Sequence, residues 1–114
     1  MSGQCMSTEM VQMNPPVDRA GAAARLAQLD LQHVGPGFYV WRRRLVLERD
    51  CRKCYLCGRE LGLYSGTVDH VTPLSRGGAD QPSNWRAACL KCNRAKGRLT
   101  LAEYLERHAG AEVR

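Results

Sequence analysis

Aromatic residues make up only 6% of this 114-residue chain, and Phe38 is its one phenylalanine. So little large apolar surface, at this length, bounds the chain to one small domain of the kind that commonly needs a staple. Long hydrophobic runs are missing too. No stretch approaches the roughly 18 apolar residues of a transmembrane helix, so no membrane association is expected. The first 17 residues carry neither a basic n-region nor an apolar h-region, and a cytoplasmic, reducing compartment is the expectation. In such a compartment paired cysteines read as metal ligands before disulfides.

Acidic residues are outnumbered, 11 against 17 Lys and Arg, for a net charge of +6. The excess is local. Residues 1–40 and 101–114 each carry −1, whereas 41–64 and 65–100 each carry +4. A basic middle fits a polyanionic partner, nucleic acid first, although a solubilising face has the same composition.

Residues 1–17, polar with four Met and Pro15-Pro16, read as a disordered leader. Residues 18–37 read as an Ala-rich helix, Asp18 to Leu31, followed by a Gly35-Pro36-Gly37 breaker. His33 lies at the helix end, as a last-turn cation. A main domain, 38–108, and a short polar tail, 109–114, complete the expected organisation. Within the domain, Phe38 to Asp50 reads as a helix whose Arg42-Arg43-Arg44 triplet touches phosphates or is a solvated face. Thr67 to Thr72 reads as a first strand and Asn84 to Ala88 as a second. Leu90 to Lys96 reads as a helix stopped by Gly97. A last helix, Leu101 to His108, is capped by Thr100 with Glu103.

Six cysteines are present: Cys5, Cys51, Cys54, Cys57, Cys89 and Cys92. Cys51-x2-Cys54 and Cys54-x2-Cys57 are overlapping registers; Cys57-Gly58 supplies the turn of a zinc knuckle and favours the second. Cys89-x2-Cys92 is the matching half. Two C-x2-C units separated by 31 residues form a four-thiolate structural zinc site if the chain returns on itself. Cys51 is then spare, and Cys5 is unassigned.

Between the two pairs lies Val68-Asp69-His70-Val71-Thr72-Pro73-Leu74-Ser75-Arg76-Gly77-Gly78. A carboxylate for a divalent cation beside an imidazole for moving a proton is a minimal kit for phosphodiester hydrolysis. Neighbours on a strand point to opposite faces, so Asp69 and His70 share a face only if the strand ends or twists there. With Asn84 and then Cys89-x2-Cys92-Asn93-x2-Lys96-Gly97, the stretch from about Arg49 to Gly97 resembles the HNH endonuclease family in its zinc-containing form.

That resemblance implies a small α+β fold: a ββα-metal core stapled by the four-cysteine zinc knuckle, with flanking helices, so that 38–108 is the nuclease domain. It implies a metal-dependent DNA endonuclease in which His70 is the general base, Asp69 a ligand of the catalytic cation, and Asn84 the residue that ties the loop and orients His70. The last motif position, usually His, is Asn93 here, an HNN variant. Its harder carbonyl oxygen suits Mg²⁺ or Mn²⁺. Arg76, Arg94 and Lys96 are the candidate phosphate contacts. The implied partner is double-stranded DNA, nicked by a monomer or broken by a homodimer. Small stand-alone members are often phage-encoded and act beside packaging proteins, an association of family and size. The competing reading is a non-catalytic zinc-ribbon module that binds DNA or RNA. It would need the cysteines and the basic face but not His70, Asn84 and Asn93.

Overall fold

The computed structural model describes residues 17–32, 35–62 and 64–112. Residues 1–16 of the expected leader, Cys5 among them, and His33 lie outside them. The order is α1 (Arg19–Ala27), α2 (Phe38–Arg49), β1 (Gly66–His70), β2 (Trp85–Cys89), α3 (Leu90–Lys96) and α4 (Leu101–Glu112). Among the described residues no helix is long and apolar enough to cross a membrane.

Helix α1 stops short of the expected Leu31. The N–H groups of Gln28 and Leu29 fall back to the carbonyls of Arg25 and Leu26, and the Asp30 carboxylate takes the Gln32 N–H at 3.0 Å. An Asp side chain that captures a nearby backbone donor offers the chain an alternative to the helix. At its other end, Asp18 caps Gly21 while its own N–H reaches Glu48 of α2 at 2.9 Å. Ala22 and Leu26 are buried in one core with Leu45, Val46 and Leu47 of α2 and Trp85, Ala87 and Ala88 of β2. Helix α2 starts as the glycine breaker predicts, from Gly37 at φ 81°, a conformation that costs glycine least.

The sheet is one antiparallel pair, with Gly66 opposite Cys89 at one end and His70 opposite Trp85 at the other. Alternation sends Gly66, Val68 and His70 to one face and Thr67 and Asp69 to the other. The first face looks at α2: a Cβ at Gly66 would lie 2.4 Å from Leu47 Cδ2. The second is covered by α3. The outer edge of β2 is also closed. Asp50 accepts the Ala87 N–H at 2.8 Å, and the Tyr55 N–H donates to the Ala87 carbonyl at 2.9 Å. A sheet this small thus leaves little unpaired backbone for a second chain.

Both strands are displaced from their expected spans by Asn84, whose carbonyl takes the Val71 N–H at 2.9 Å. Its side chain then takes over Thr72. β1 therefore ends at His70, and β2 begins at Trp85 after a single 3₁₀ turn, Pro82–Asn84. The expected capping box of α4 is present: Glu103 accepts the Thr100 N–H at 3.0 Å and Thr100 Oγ1 the Glu103 N–H at 3.1 Å. That helix runs past His108 to Glu112.

Candidate active site and metal centre

The sulfurs of Cys54, Cys57, Cys89 and Cys92 all lie within 4.8 Å of one another. Tetrahedral zinc with Zn–S of about 2.3 Å needs S···S edges of about 3.8 Å. Cys57 and Cys89 stand 3.9 Å apart. Local structure builds this cluster. Gly58, at φ 80°, turns the knuckle so that its N–H meets the Cys54 carbonyl at 2.8 Å. The N–H groups of Leu56 and Cys92 point at the Cys54 and Cys89 sulfurs, each at 3.4 Å.

Protonation chemistry asks for a cation here. Burial raises the Cys54 thiol, but donors from Cys89, Cys57 and Leu56 outweigh it and bring it down to about 7. Burial and then the neighbouring Cys89 and Cys57 push Cys92 up to about 12. Four such sulfurs ionise together only around a positive ion, so the donor set fits zinc. Cys51 stands outside the cluster and is disulfide-bonded. The Cys54–Cys57 register is the one the knuckle uses.

The other end of the sheet holds the Asp69–His70 pair. Asp69 is buried, and its Oδ2 accepts Tyr55 Oη at 2.5 Å and Lys96 Nζ at 3.2 Å. Burial and then this hydrogen bond to Asp69 raise the Tyr55 phenol, which stays a donor. Asn93, one turn before Lys96 on α3, donates from Nδ2 to Thr67 Oγ1 at 2.8 Å and to the Val68 carbonyl at 3.4 Å. Thr67 in turn spends its proton on the Ala88 carbonyl at 2.8 Å. The Asn93 amide is therefore oriented, with Oδ1 as its remaining acceptor. Asp69 Oδ1 and Asn93 Oδ1 are hard oxygen donors carried by β1 and α3. Two such ligands suit a cation such as Mg²⁺, which keeps most of its own water.

Lys96 departs from expectation. It is not a surface phosphate contact. It is 1% exposed, with its ammonium held by Asp69 and by the His70 carbonyl at 2.9 Å. A buried cation needs paired partners, and these two supply them. Arg76 is exposed and is held by Glu103 through two hydrogen bonds, at 2.8 and 2.9 Å. Arg94 is exposed on α3.

His70 is the last residue of β1 and leaves the strand on the α2 side. Its Nε2 lies 2.8 Å from Asp80 Oδ1. Asn84 organises the loop between them. Its Oδ1 accepts the Thr72 N–H at 2.9 Å, while Nδ2 donates to the carbonyls of Thr72 at 2.9 Å and Ala79 at 2.8 Å. The loop packs so tightly that a Cβ on Gly78 would sit 1.9 Å from the Thr72 carbonyl oxygen, so glycine is required by close approach.

Sequence reasoning misses three partners: Tyr55, Asp80 and, within the arginine triplet, Arg42 in particular. Arg42 lies over the Trp85 ring at 4.8 Å and 3.9 Å from Asp80. One signal for Asp80 is present: Asp69 and Asp80 are the only acidic residues between positions 65 and 100.

No curated protein matches the chain. Among solved structures it is similar to the Type II-C Cas9 enzyme from Actinomyces naeslundii, with 26% identity and a TM-score of 0.57. That likeness covers 77% of this chain and 9% of that one, so the chain spans under a tenth of the neighbour's length. Residues 54–99, which hold the four thiols, the sheet, α3 and every candidate catalytic side chain, match the HNH endonuclease family.

Proposed function

We propose that this protein is a metal-dependent DNA endonuclease, with His70 as its general base and Asp69 and Asn93 as the protein ligands of one Mg²⁺ or Mn²⁺. The observation that supports this reading is that Asp69 and His70 close β1 while Asn93 of α3 is hydrogen-bonded to Thr67 and Val68 of the same strand. Asp69 and Asn93 act from the α3 face. His70 acts from the strand terminus, where the chain turns away and leaves its ring at the edge of the sheet.

His70 accepts a proton from a water molecule as that water attacks the phosphorus. The bond from phosphorus to the bridging 3′ oxygen breaks, and that oxygen leaves to become a hydroxyl. A bound divalent cation would supply charge neutralisation at the phosphate and stabilise the leaving oxygen. Lys96 and Tyr55 hold the Asp69 carboxylate in place from one oxygen and leave the other to the cation. Arg94 and Arg76 stand as backbone contacts; the second must exchange Glu103 for phosphate. Such contacts orient DNA without reading its sequence, and affinity should fall with salt at a log–log slope of about −0.9 per phosphate neutralised. Whether one subunit nicks or two break both strands follows from oligomeric state.

The test is cleavage of supercoiled and linear duplex with Mg²⁺ or Mn²⁺. Wild type should cut, and His70→Ala should lose about 10²–10⁴-fold in rate while still binding DNA. Binding without cutting by the wild type would favour a zinc-stapled binding module instead. Equal cutting by both proteins would remove His70 from the chemistry.

A further inference from the structure

Asp80 joins the two ring nitrogens of the last rung of the sheet. His70 and Trp85 are cross-strand partners, and Asp80 Oδ1 meets His70 Nε2 at 2.8 Å and Trp85 Nε1 at 2.9 Å. The carboxylate is held from both sides. Asn84 clamps the carbonyl of the preceding residue, Ala79, at 2.8 Å. Arg42 Nη1 lies 3.9 Å from the same oxygen. Arg42 is itself fixed by the Trp85 and Tyr39 rings, each 4.8 Å away.

We propose that Asp80 is a positioning residue for the nuclease reaction: its carboxylate locks the His70 ring in one orientation and in the Nε2–H tautomer, so that Nδ1 carries the lone pair that takes the proton from water. This inference rests on the endonuclease reading above. Its chemistry is short. An ionised carboxylate has no proton to donate, so in this contact Nε2–H is the donor. A neutral imidazole protonated at Nε2 keeps its lone pair on Nδ1. The hydrogen bond from His70, and next the one from Trp85, hold Asp80 below the usual carboxylate range against the effect of its burial, so it is ionised at neutral pH. In this role Asp80 takes no part in the bond changes at phosphorus and acts only through His70. Without it the ring rotates about its side-chain torsions and exchanges tautomers, and only a fraction of molecules present Nδ1.

The experiment uses the full chain with zinc bound and compares wild type, Asp80→Ala and Asp80→Asn. Three quantities are read: the single-turnover cleavage rate at saturating DNA, the DNA affinity, and the ¹⁵N signals of the His70 ring, assigned by their loss in His70→Gln. Wild type should show the Nε2–H pattern. Asp80→Ala should cut about 10²-fold more slowly, of the order expected when a general base is mispositioned. Its DNA affinity should stay within about twofold, and its His70 signals should move to an averaged pattern. Asp80→Asn retains an acceptor oxygen and should recover roughly tenfold of that loss. Wild-type cutting matched by Asp80→Ala would overturn the proposal. So would an Nδ1–H pattern in the wild type, which does not depend on an Asp80 variant that folds. A wild type that shows the Nε2–H pattern and cuts no DNA would instead overturn the endonuclease reading on which the proposal stands.

Discussion

Asn84 gives the sharpest test of how this fold holds its site. Its side chain makes three hydrogen bonds, all to backbone: it accepts from Thr72 N at 2.9 Å and donates to the Thr72 and Ala79 carbonyls at 2.9 and 2.8 Å. Each is worth about 0.5–1.5 kcal/mol net, and the half-buried Thr72 groups are left without partners when the amide goes. Asn84→Ala should therefore cost about 2–4 kcal/mol. With m-values of about 1–3 kcal/mol per molar urea for small domains, the midpoint should fall by about 1–2 M, measured at fixed free zinc. Asn84→Asp separates hydrogen bonding from shape. The carboxylate still accepts from Thr72 N but turns its second oxygen toward two carbonyls, so this near-isostere should be no more stable than the alanine variant. On the endonuclease proposal both should also slow cleavage, because the Ala79 bond holds the segment that carries Asp80. A midpoint shift under about 0.3 M for Asn84→Ala, or an Asp variant close to wild type, would refute the claim that this amide is the clamp of the loop.

Other outcomes follow from the same geometry. Stripping zinc should unfold residues 54–99 with loss of cooperative melting in calorimetry, since four-thiolate sites of this kind supply on the order of 10–16 kcal/mol of apparent folding free energy. Lys96→Met should cost about 3–5 kcal/mol by urea titration, because it leaves the buried Asp69 carboxylate without its cation. Glu103 is held down to about 2 from its ordinary 4.5, first by its hydrogen bonds from Arg76 and then by the Thr100 N–H. A depressed carboxylate contributes stability above its unfolded pKa and loses it as pH falls. The stability gap between wild type and Glu103→Gln should accordingly be full above pH 4.5 and narrow progressively below it, when urea midpoints of the two are compared across pH.

Much of this arrangement is legible in the sequence because it is written in short-range chemistry. The C-x2-C spacings, Cys57-Gly58, the Thr100–Glu103 box and the Gly37 and Gly97 boundaries each act within a few residues. The β-type run around Asp69-His70 locates the site. Long-range pairing is less accessible. Lys96 reads as one more basic residue near a phosphate, and only the packing of α3 on β1 shows that Asp69 and the His70 carbonyl consume its charge. The strand ends differ from their expected positions because an asparagine side chain, rather than a turn residue, takes over the backbone of Thr72. Asp80 escapes a sequence reading for a similar reason. Its loop carries no periodicity, and its meaning comes from His70 and Trp85, residues paired only once the sheet exists.

The two ends of the sheet divide the labour, and α3 joins them. Cys89 ends β2 opposite Gly66 and caps α3, with its sulfur accepting the Cys92 N–H. One residue beyond Cys92, Asn93 reaches Thr67; one turn further, Lys96 reaches Asp69 and His70 at the opposite end. Seven residues of helix thus run from the thiol cluster to the strand that carries Asp69 and His70. A helix this short has little stability of its own in water. Its position must be imposed from both ends, by the thiol cluster at its start and by Lys96 at its finish. A zinc ion held there would be structural in location and yet would set the register of Asn93. A zinc site weakened at Cys57, the exposed member of the four, should loosen Asn93 and the Thr67 hydroxyl before the α1–α2 pair. Amide exchange should show this as early loss of protection in α3 and β1 while Leu45, Val46 and Leu47 stay protected. Simultaneous loss in all of these elements would mean that the domain opens as one unit and that α3 carries no separate link between the metal centre and the site.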